Sequence, residues 1–332
     1  MMKRVFLVLI ASLVVIYLIG PRPKAGQYTS ALPKVLYEGI ALDQWIHVRE
    51  SRANTKPDNQ ARIIWVNDTT KVKTKYAVVY LHGFSASQEE GNPVHINFAK
   101  HLKANMYLSR LSDHGLLTEN SLSRMTATSL WESAKEAYAI GKKIGDSVIL
   151  VGTSTGGTLA VMLAAEHYPE LAGLVLMSPN AAINEQFAFL LNDHWGLHIA
   201  RTVKGGDDVV PKDTTTLYKK YWYSPYRLEG AVELEQLIED KMNAQTFAAV
   251  KQPVLMMYYF KDEKNQDPVV KVSSMLEMFK QFSSPIKKQV AIPKCRGSCH
   301  RLLYQIQGLA NGAKRGPGIR RQHAMGPLIH WL

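Results

Sequence analysis

Residues Ser147 to Val151 (SVILV) form a short apolar run, 152–156 read GTSTG, and Gly157 to Tyr168 (GTLAVMLAAEHY) read as a helix. Strand, G-x-S-x-G and helix in that order constrain the fold more than any other stretch. A short apolar run bounded by turn residues suits a strand buried in a parallel sheet. The glycines two before and two after the serine let the chain turn sharply without a Cβ clash. A serine on that turn is lifted clear of the sheet. The helix after it aims free amides and the positive end of its dipole at the same spot. Ser154 is therefore the candidate nucleophile. The Thr155 N–H is a candidate donor to an oxyanion forming beside it.

A second motif points the same way. Lys75 to Leu81 (KYAVVYL) reads as another buried strand and runs into His82-Gly83-Phe84-Ser85-Ala86-Ser87. In serine hydrolases of this layout the second oxyanion amide comes from the loop after an early strand. Phe84 N–H is the candidate here. His82 sits before the glycine at the strand end and reads as structural rather than as a base.

HGFSAS, the elbow GTSTGG and the late run DPVV resemble, in that order, the α/β-hydrolase superfamily. The resemblance is to its monoglyceride-lipase-like and serine-aminopeptidase-like branch and covers about Leu36 to Pro293. It implies an α/β-hydrolase fold, a mostly parallel doubly wound sheet with an inserted helical cap at about 180–249. It also implies a serine, acid, histidine order along the chain. The acid belongs after the strand Pro253 to Phe260, where Asp267 matches the D-x-V-V setting and Asp262 is the runner-up. The histidine belongs just after Lys287 to Pro293, where His300 stands. The implied activity is cleavage of small carboxylic esters, such as acyl glycerols, without metal or cofactor.

Strands alternating with helices agree with a parallel, doubly wound sheet. Strand candidates are Ile63 to Val66, Met106 to Leu111, Gly173 to Met177 and Lys288 to Ile292; Asn92 to Asn105 and Ser129 to Gly145 read as helices. Between Asn180 and Ala249 stand Trp195, Tyr218, Tyr221, Trp222, Tyr223 and Tyr226. These aromatics either line an acyl pocket or pack inward as the cap's own core.

The chain has 332 residues and is 46% hydrophobic, enough for one large domain of this kind. Its net charge of +12 is concentrated in 294–332, which hold seven basic residues and no acidic ones. No basic patch with interleaved aromatics appears, so nucleic acid is excluded as a partner. Both cysteines, Cys295 and Cys299, lie in that same tail, so the domain implies no disulfide framework.

Met1-Met2-Lys3-Arg4 followed by the apolar run Val5 to Gly20 reads as a targeting segment. As a helix it spans about 24 Å, slightly short of a ~30 Å hydrocarbon core. The expectation is a signal anchor with the catalytic domain outside the cytoplasm, the alternative a cleaved signal peptide and a secreted or periplasmic domain. Pro21 to about Ser30 reads as a linker, and the domain begins near residue 36.

From Lys294 the chain loses hydrophobic periodicity, and the closing helix implied by the resemblance is missing. This break predicts a shifted reading frame. Back-translating from Lys294 with permitted codons and advancing one base yields NAGDHVIASSIKSKDW. That places P-N-A-G-D-H-V-I after AIP, with a histidine in the expected turn. The alternative is a genuine, divergent tail in which His300 serves as the base; the rival from another class is a genuine tail whose His300 does not reach Ser154. The chain would then be a non-catalytic, membrane-anchored binding protein or an inactive product.

Overall fold

The structure is a computed structural model that describes residues 2–213 and 215–293. His300 and the rest of 294–332 lie outside the described residues.

In chain order the strands are β1 (Arg62–Ile64), β2 (Thr74–Leu81), β3 (Asn105–Leu108), β4 (Gly145–Thr153), β5 (Leu171–Met177), β6 (Asp208–Val209), β7 (Tyr226–Arg227), β8 (Val254–Asp262), β9 (Asn265–Gln266) and β10 (Lys287–Ile292). The helices are α1 (Met2–Leu18), α2 (Gly39–Ser51), α3 (Val94–Leu102), α4 (Ala127–Ile144), α5 (Thr155–Ala165), α6 (Gly196–Lys204), α7 (Thr216–Tyr221), α8 (Leu228–Lys241), α9 (Ala244–Ala249) and α10 (Val272–Gln281). The main sheet has the order β1-β3-β2-β4-β5-β8-β10, with β9 attached to β8. β1 is antiparallel to β3, and the pairings from β3 across to β10 are parallel. The chain runs from β2 to β3 on one side and then returns to β4 on the other. This reversal of winding opens a crevice at the carboxyl ends of β2 and β4.

The middle strands read as continuous apolar runs because both of their faces are covered. On one face, Val79, Leu81, Val148 and Leu150 pack with Trp131, Tyr138 and Leu159 from α4 and α5. On the other, Val78, Tyr80, Ile149 and Val151 pack with Val94 and Phe98 from α3. The start of α4 is fixed by a reciprocal cap. Ser129 N–H donates to Thr126 Oγ1 at 3.0 Å, and Thr126 N–H donates to Ser129 Oγ at 2.9 Å.

The stretch read as a linker is pinned along the domain surface. Lys135, buried on α4, donates to Thr29 Oγ1 at 3.0 Å and to the Ala31 carbonyl at 2.9 Å, and it pairs with Glu132. Trp131 Nε1 donates to the Thr29 carbonyl at 2.9 Å. A buried ammonium needs such partners, and these carbonyls hold residues 29–31 in place.

The inserted segment divides in two. Helix α6, the small antiparallel β6–β7 pair and α7 lie outside the sheet's helical layers. α8 and α9, which the sequence reading counted with the cap, pack on α4 and α5. They contribute Leu234, Leu237, Ile238 and Phe247 to the main core. Their apolar spacing resembles that of a cap helix, so the pattern alone does not reveal which layer receives it.

The apolar N-terminal run forms α1, 17 residues with none buried. No helix among the described residues is long and apolar enough to cross a membrane, so the expected spanning anchor is not found there. The end of α1 meets the inserted segment. Tyr17 donates to Asp193 at 2.6 Å, and Trp195 Nε1 donates to the Ile16 carbonyl at 3.0 Å.

Candidate active site

Ser154 follows the last residue of β4 and precedes α5, with φ 50° and ψ −117°. Positive φ in a residue bearing a Cβ costs on the order of 1–3 kcal/mol and persists only where the surroundings impose it. Four hydrogen bonds impose it here. Ser154 N–H donates to the Met177 carbonyl at 3.0 Å. The Ser154 carbonyl accepts from Gly157 N–H at 2.8 Å, Thr158 N–H at 3.1 Å and Asn180 N–H at 3.0 Å. The glycine requirement is one of space. A Cβ on Gly156 would sit inside van der Waals contact of the Leu81 carbonyl, and one on Gly152 would strike the Gly156 backbone.

Neither Thr155 N–H nor Phe84 N–H has an acceptor among the described residues. One opens α5 and the other lies in the turn after β2, so both are at the carboxyl ends of adjacent strands. Free amides at such positions are what an oxyanion accepts.

The turn after β2 is held by two buried histidines. His82 Nδ1 lies 2.9 Å from the Gly83 carbonyl, and its Nε2 accepts from Leu111 N–H at 3.1 Å. His114 Nδ1 lies 2.8 Å from the Ser112 carbonyl, and its Nε2 accepts from Ser85 N–H at 3.1 Å. Each ring is therefore neutral, with its proton on Nδ1. Burial pushes the His82 imidazole down to about 4, and burial together with the neighbouring His82 holds His114 well below its ordinary value. The structural reading of His82 agrees with this geometry. His114 was not found from the sequence, where Ser112-Asp113-His114-Gly115 reads as an ordinary polar turn. Its loop is anchored from α2. The buried Glu50 takes Arg110 in a two-point pair at 2.6 and 3.1 Å, and Arg110 Nη1 donates to the His114 carbonyl at 3.2 Å.

The two acid candidates differ in setting. Asp262 is exposed, and its carboxylate accepts from Lys264 N–H, Asn265 N–H and the Asn265 side chain, closing the β8–β9 hairpin. Those bonds, led by the Asn265 side chain, lower its pKa. Asp267 is 1% exposed, and its Oδ1 accepts from Val269 and Val270 N–H at 3.0 Å each. Its loop is laced to the strand end near the serine. Asn184 N–H donates to the Val269 carbonyl and Lys271 N–H to the Ala182 carbonyl, both at 2.9 Å, while Asn180 N–H reaches Ser154.

The aromatics of the inserted segment mostly pack inward. Tyr221, Trp222 and Tyr223 are buried, and Tyr223 N–H donates to the Ser85 carbonyl at 2.8 Å. Lys56 donates to the Lys219 carbonyl and, at 2.9 Å, to the Trp222 carbonyl. Burial pushes its ammonium down to about 8. Tyr226 meets the Phe84 ring edge-on at 5.1 Å. The segment around α7 is thus fastened to the turn after β2, while Trp195 stands apart against the end of α1.

Among solved structures the chain resembles one from a study of LipS and LipT, two metagenome-derived lipolytic enzymes. That match has a TM-score of 0.57 and 16% identity over 72% of this chain and 89% of the other. The monoacylglycerol lipase of Paleococcus ferrophilus matches with a TM-score of 0.51 and 12% identity, over 70% and 87% of the two chains. The chain has the α/β-hydrolase fold. By sequence, the chain is 33% identical over 107 residues to the thermostable monoacylglycerol lipase of Bacillus sp. (strain H-257). That stretch covers 32% of this chain and 41% of the lipase, so the chain spans less than half the length of the curated relative it matches. No family model matches the chain.

Proposed function

We propose that this α/β-hydrolase cleaves carboxylic esters, acyl glycerols or similar small esters, through an acyl-enzyme on Ser154. The observation that carries this reading is the strained serine flanked by two amides without acceptors among the described residues. Likeness to lipolytic enzymes supports the substrate class.

In this reading the Ser154 hydroxyl attacks the ester carbonyl, and a histidine takes its proton as general base. In the chain as written that histidine is His300; in the shifted frame it is the histidine of P-N-A-G-D-H-V-I. Thr155 and Phe84 N–H hold the tetrahedral oxyanion. The imidazolium returns the proton to the departing alkoxide, and water then hydrolyses the acyl-serine by the same steps. Asp267 fixes the imidazole tautomer and stabilises the imidazolium. Its burial and the lacing of its loop toward Ser154 favour it over the hairpin residue Asp262.

The test is hydrolysis of p-nitrophenyl butyrate by the full chain and by Ser154→Ala. Turnover should vanish in the variant while its melting curve stays close to that of the parent. Substantial activity in pure, folded Ser154→Ala overturns the assignment.

We also read the exposed apolar helix α1 as a signal that takes the chain out of the cytoplasm, either cleaved or kept at a membrane. Fractionation with intact-mass measurement decides it. Full-length protein of unprocessed mass in the soluble fraction contradicts the reading.

A further inference from the structure

Glu90 is a buried carboxyl that the catalytic reading leaves unused. It lies in the 3-10 turn Gln88–Gly91, whose sequence, QEEG, gives no hint that one glutamate turns inward. Its neighbour Glu89 is only partly buried and bonds the Asn92 amide. Glu90 Oε2 instead accepts the Gly83 N–H at 2.6 Å. The Tyr80 hydroxyl neighbours the same carboxyl and lies 2.9 Å from Thr153 Oγ1. Gly83 is the residue before Phe84, and Thr153 the residue before Ser154. A Cβ on Gly83 would press within 2.8 Å of the Glu90 carboxyl, so the fit of the turn against this side chain is close.

We propose that Glu90 is a positioning residue that clasps the oxyanion turn to the nucleophile strand, through Gly83 N–H on one side and Tyr80–Thr153 on the other. The clasp fixes the Phe84 amide relative to the Thr155 amide. The proposal rests on the serine-hydrolase reading above.

The protonation state of the clasp matters. A neutral carboxyl can accept from Gly83 with one oxygen and donate toward Tyr80 with the other, which directs the Tyr80 O–H to Thr153. An ionised carboxylate places a negative charge one peptide unit from the Phe84 N–H, where it opposes the oxyanion. Burial, against the Gly83 and Tyr80 bonds, pushes Glu90 up to about 8. The groups facing it from neighbouring elements do not titrate in the same range. His95 of α3 meets the Tyr80 ring in a tilted contact at 4.3 Å and is held down to about 3 by burial. His82 is held down to about 4 by burial. Tyr218 of α7 is pushed up to about 12, chiefly by burial and then by its neighbours, Glu90 among them.

Three full-length proteins test this: wild type, Glu90→Gln and Glu90→Ala. Gln reproduces the neutral acid, since its carbonyl accepts from Gly83 and its amide donates to Tyr80. With p-nitrophenyl butyrate, Glu90→Ala should lose roughly 10–100-fold in kcat at nearly unchanged KM, as expected when an oxyanion donor is displaced rather than removed. Glu90→Gln should keep kcat near wild type at pH 7. Wild-type kcat should fall above about pH 8, and Glu90→Gln should lack that fall. Melting temperatures supply a reading that needs no turnover. A carboxyl whose folded pKa is raised loses stability as pH rises, here from the unfolded 4.5 to about 8. The melting temperature of Glu90→Gln should therefore gain on wild type across that window. A folded Glu90→Ala with wild-type kcat, the same alkaline fall in Glu90→Gln, or a pH-independent melting difference each overturns the clasp. Absence of Ser154-dependent hydrolysis in wild type overturns the serine-hydrolase reading instead, and the melting comparison still judges Glu90.

Discussion

Acid should weaken the turn after β2 through His82, by an amount the structure sets. The ring is 0% exposed, and both of its nitrogens are engaged, Nδ1 with the Gly83 carbonyl and Nε2 with Leu111 N–H. A proton on Nε2 would face the Leu111 N–H donor to donor and bury a charge with the His114 ring centroid 5.0 Å away. Burial holds the folded pKa at about 4 against an ordinary 6.5. A base with a depressed folded pKa contributes stability that is fully present above the unfolded value and lost as pH falls toward the folded one. At about 1.36 kcal/mol per pH unit, this gap corresponds to about 3 kcal/mol, a large share of the 5–15 kcal/mol typical of a domain. The assay is urea unfolding of wild type and His82→Gln, followed by tryptophan fluorescence at pH 7, 6, 5 and 4. Groups that titrate alike in both proteins cancel in the difference. Wild type minus His82→Gln should fall by about 3 kcal/mol between pH 6.5 and 4. A flat difference across that range refutes the buried, neutral assignment.

Two further outcomes follow from the same geometry. Gly156→Ala should reduce kcat by at least ~100-fold, because its Cβ collides with the Leu81 backbone and shifts the start of α5 by an ångström or so; steady-state kinetics on the folded variant would show it. Asp267→Asn should lower kcat by roughly 10³–10⁴, the scale of a lost triad acid, while Asp262→Asn stays within about twofold; the reverse ranking in kcat moves the acid to the hairpin.

The sequence carries the central layout because its strongest signals are local. The elbow needs glycines at 152 and 156 whatever surrounds it, and buried parallel strands leave unbroken apolar runs at 147–151 and 75–81. α2 and α10 escaped notice for the opposite reason. Each buries only part of one face, and α2 mixes Asp43, His47, Arg49 and Glu50 with its apolar residues. The allocation of α8 and α9 to the main core depends on long-range packing that periodicity does not encode. The support of the turn after β2 is likewise invisible locally. His114 is 29 residues from Ser85 in sequence, and Glu90 looks like its partly exposed neighbour Glu89 until Gly83 N–H is found on it. The choice between Asp267 and Asp262 in the KDEKNQDPVV run rests on which carboxylate the β8–β9 hairpin consumes, a matter of turn geometry rather than composition.

The central claim is that Ser154 is an activated nucleophile, and covalent labelling tests it most directly. The full chain is incubated with a fluorophosphonate probe at neutral pH, and the adduct is located by peptide mass spectrometry. The account predicts a single adduct on Ser154 that is absent from Ser154→Ala. A folded protein that takes up no probe, or that is labelled on another residue while Ser154 stays unmodified, contradicts it.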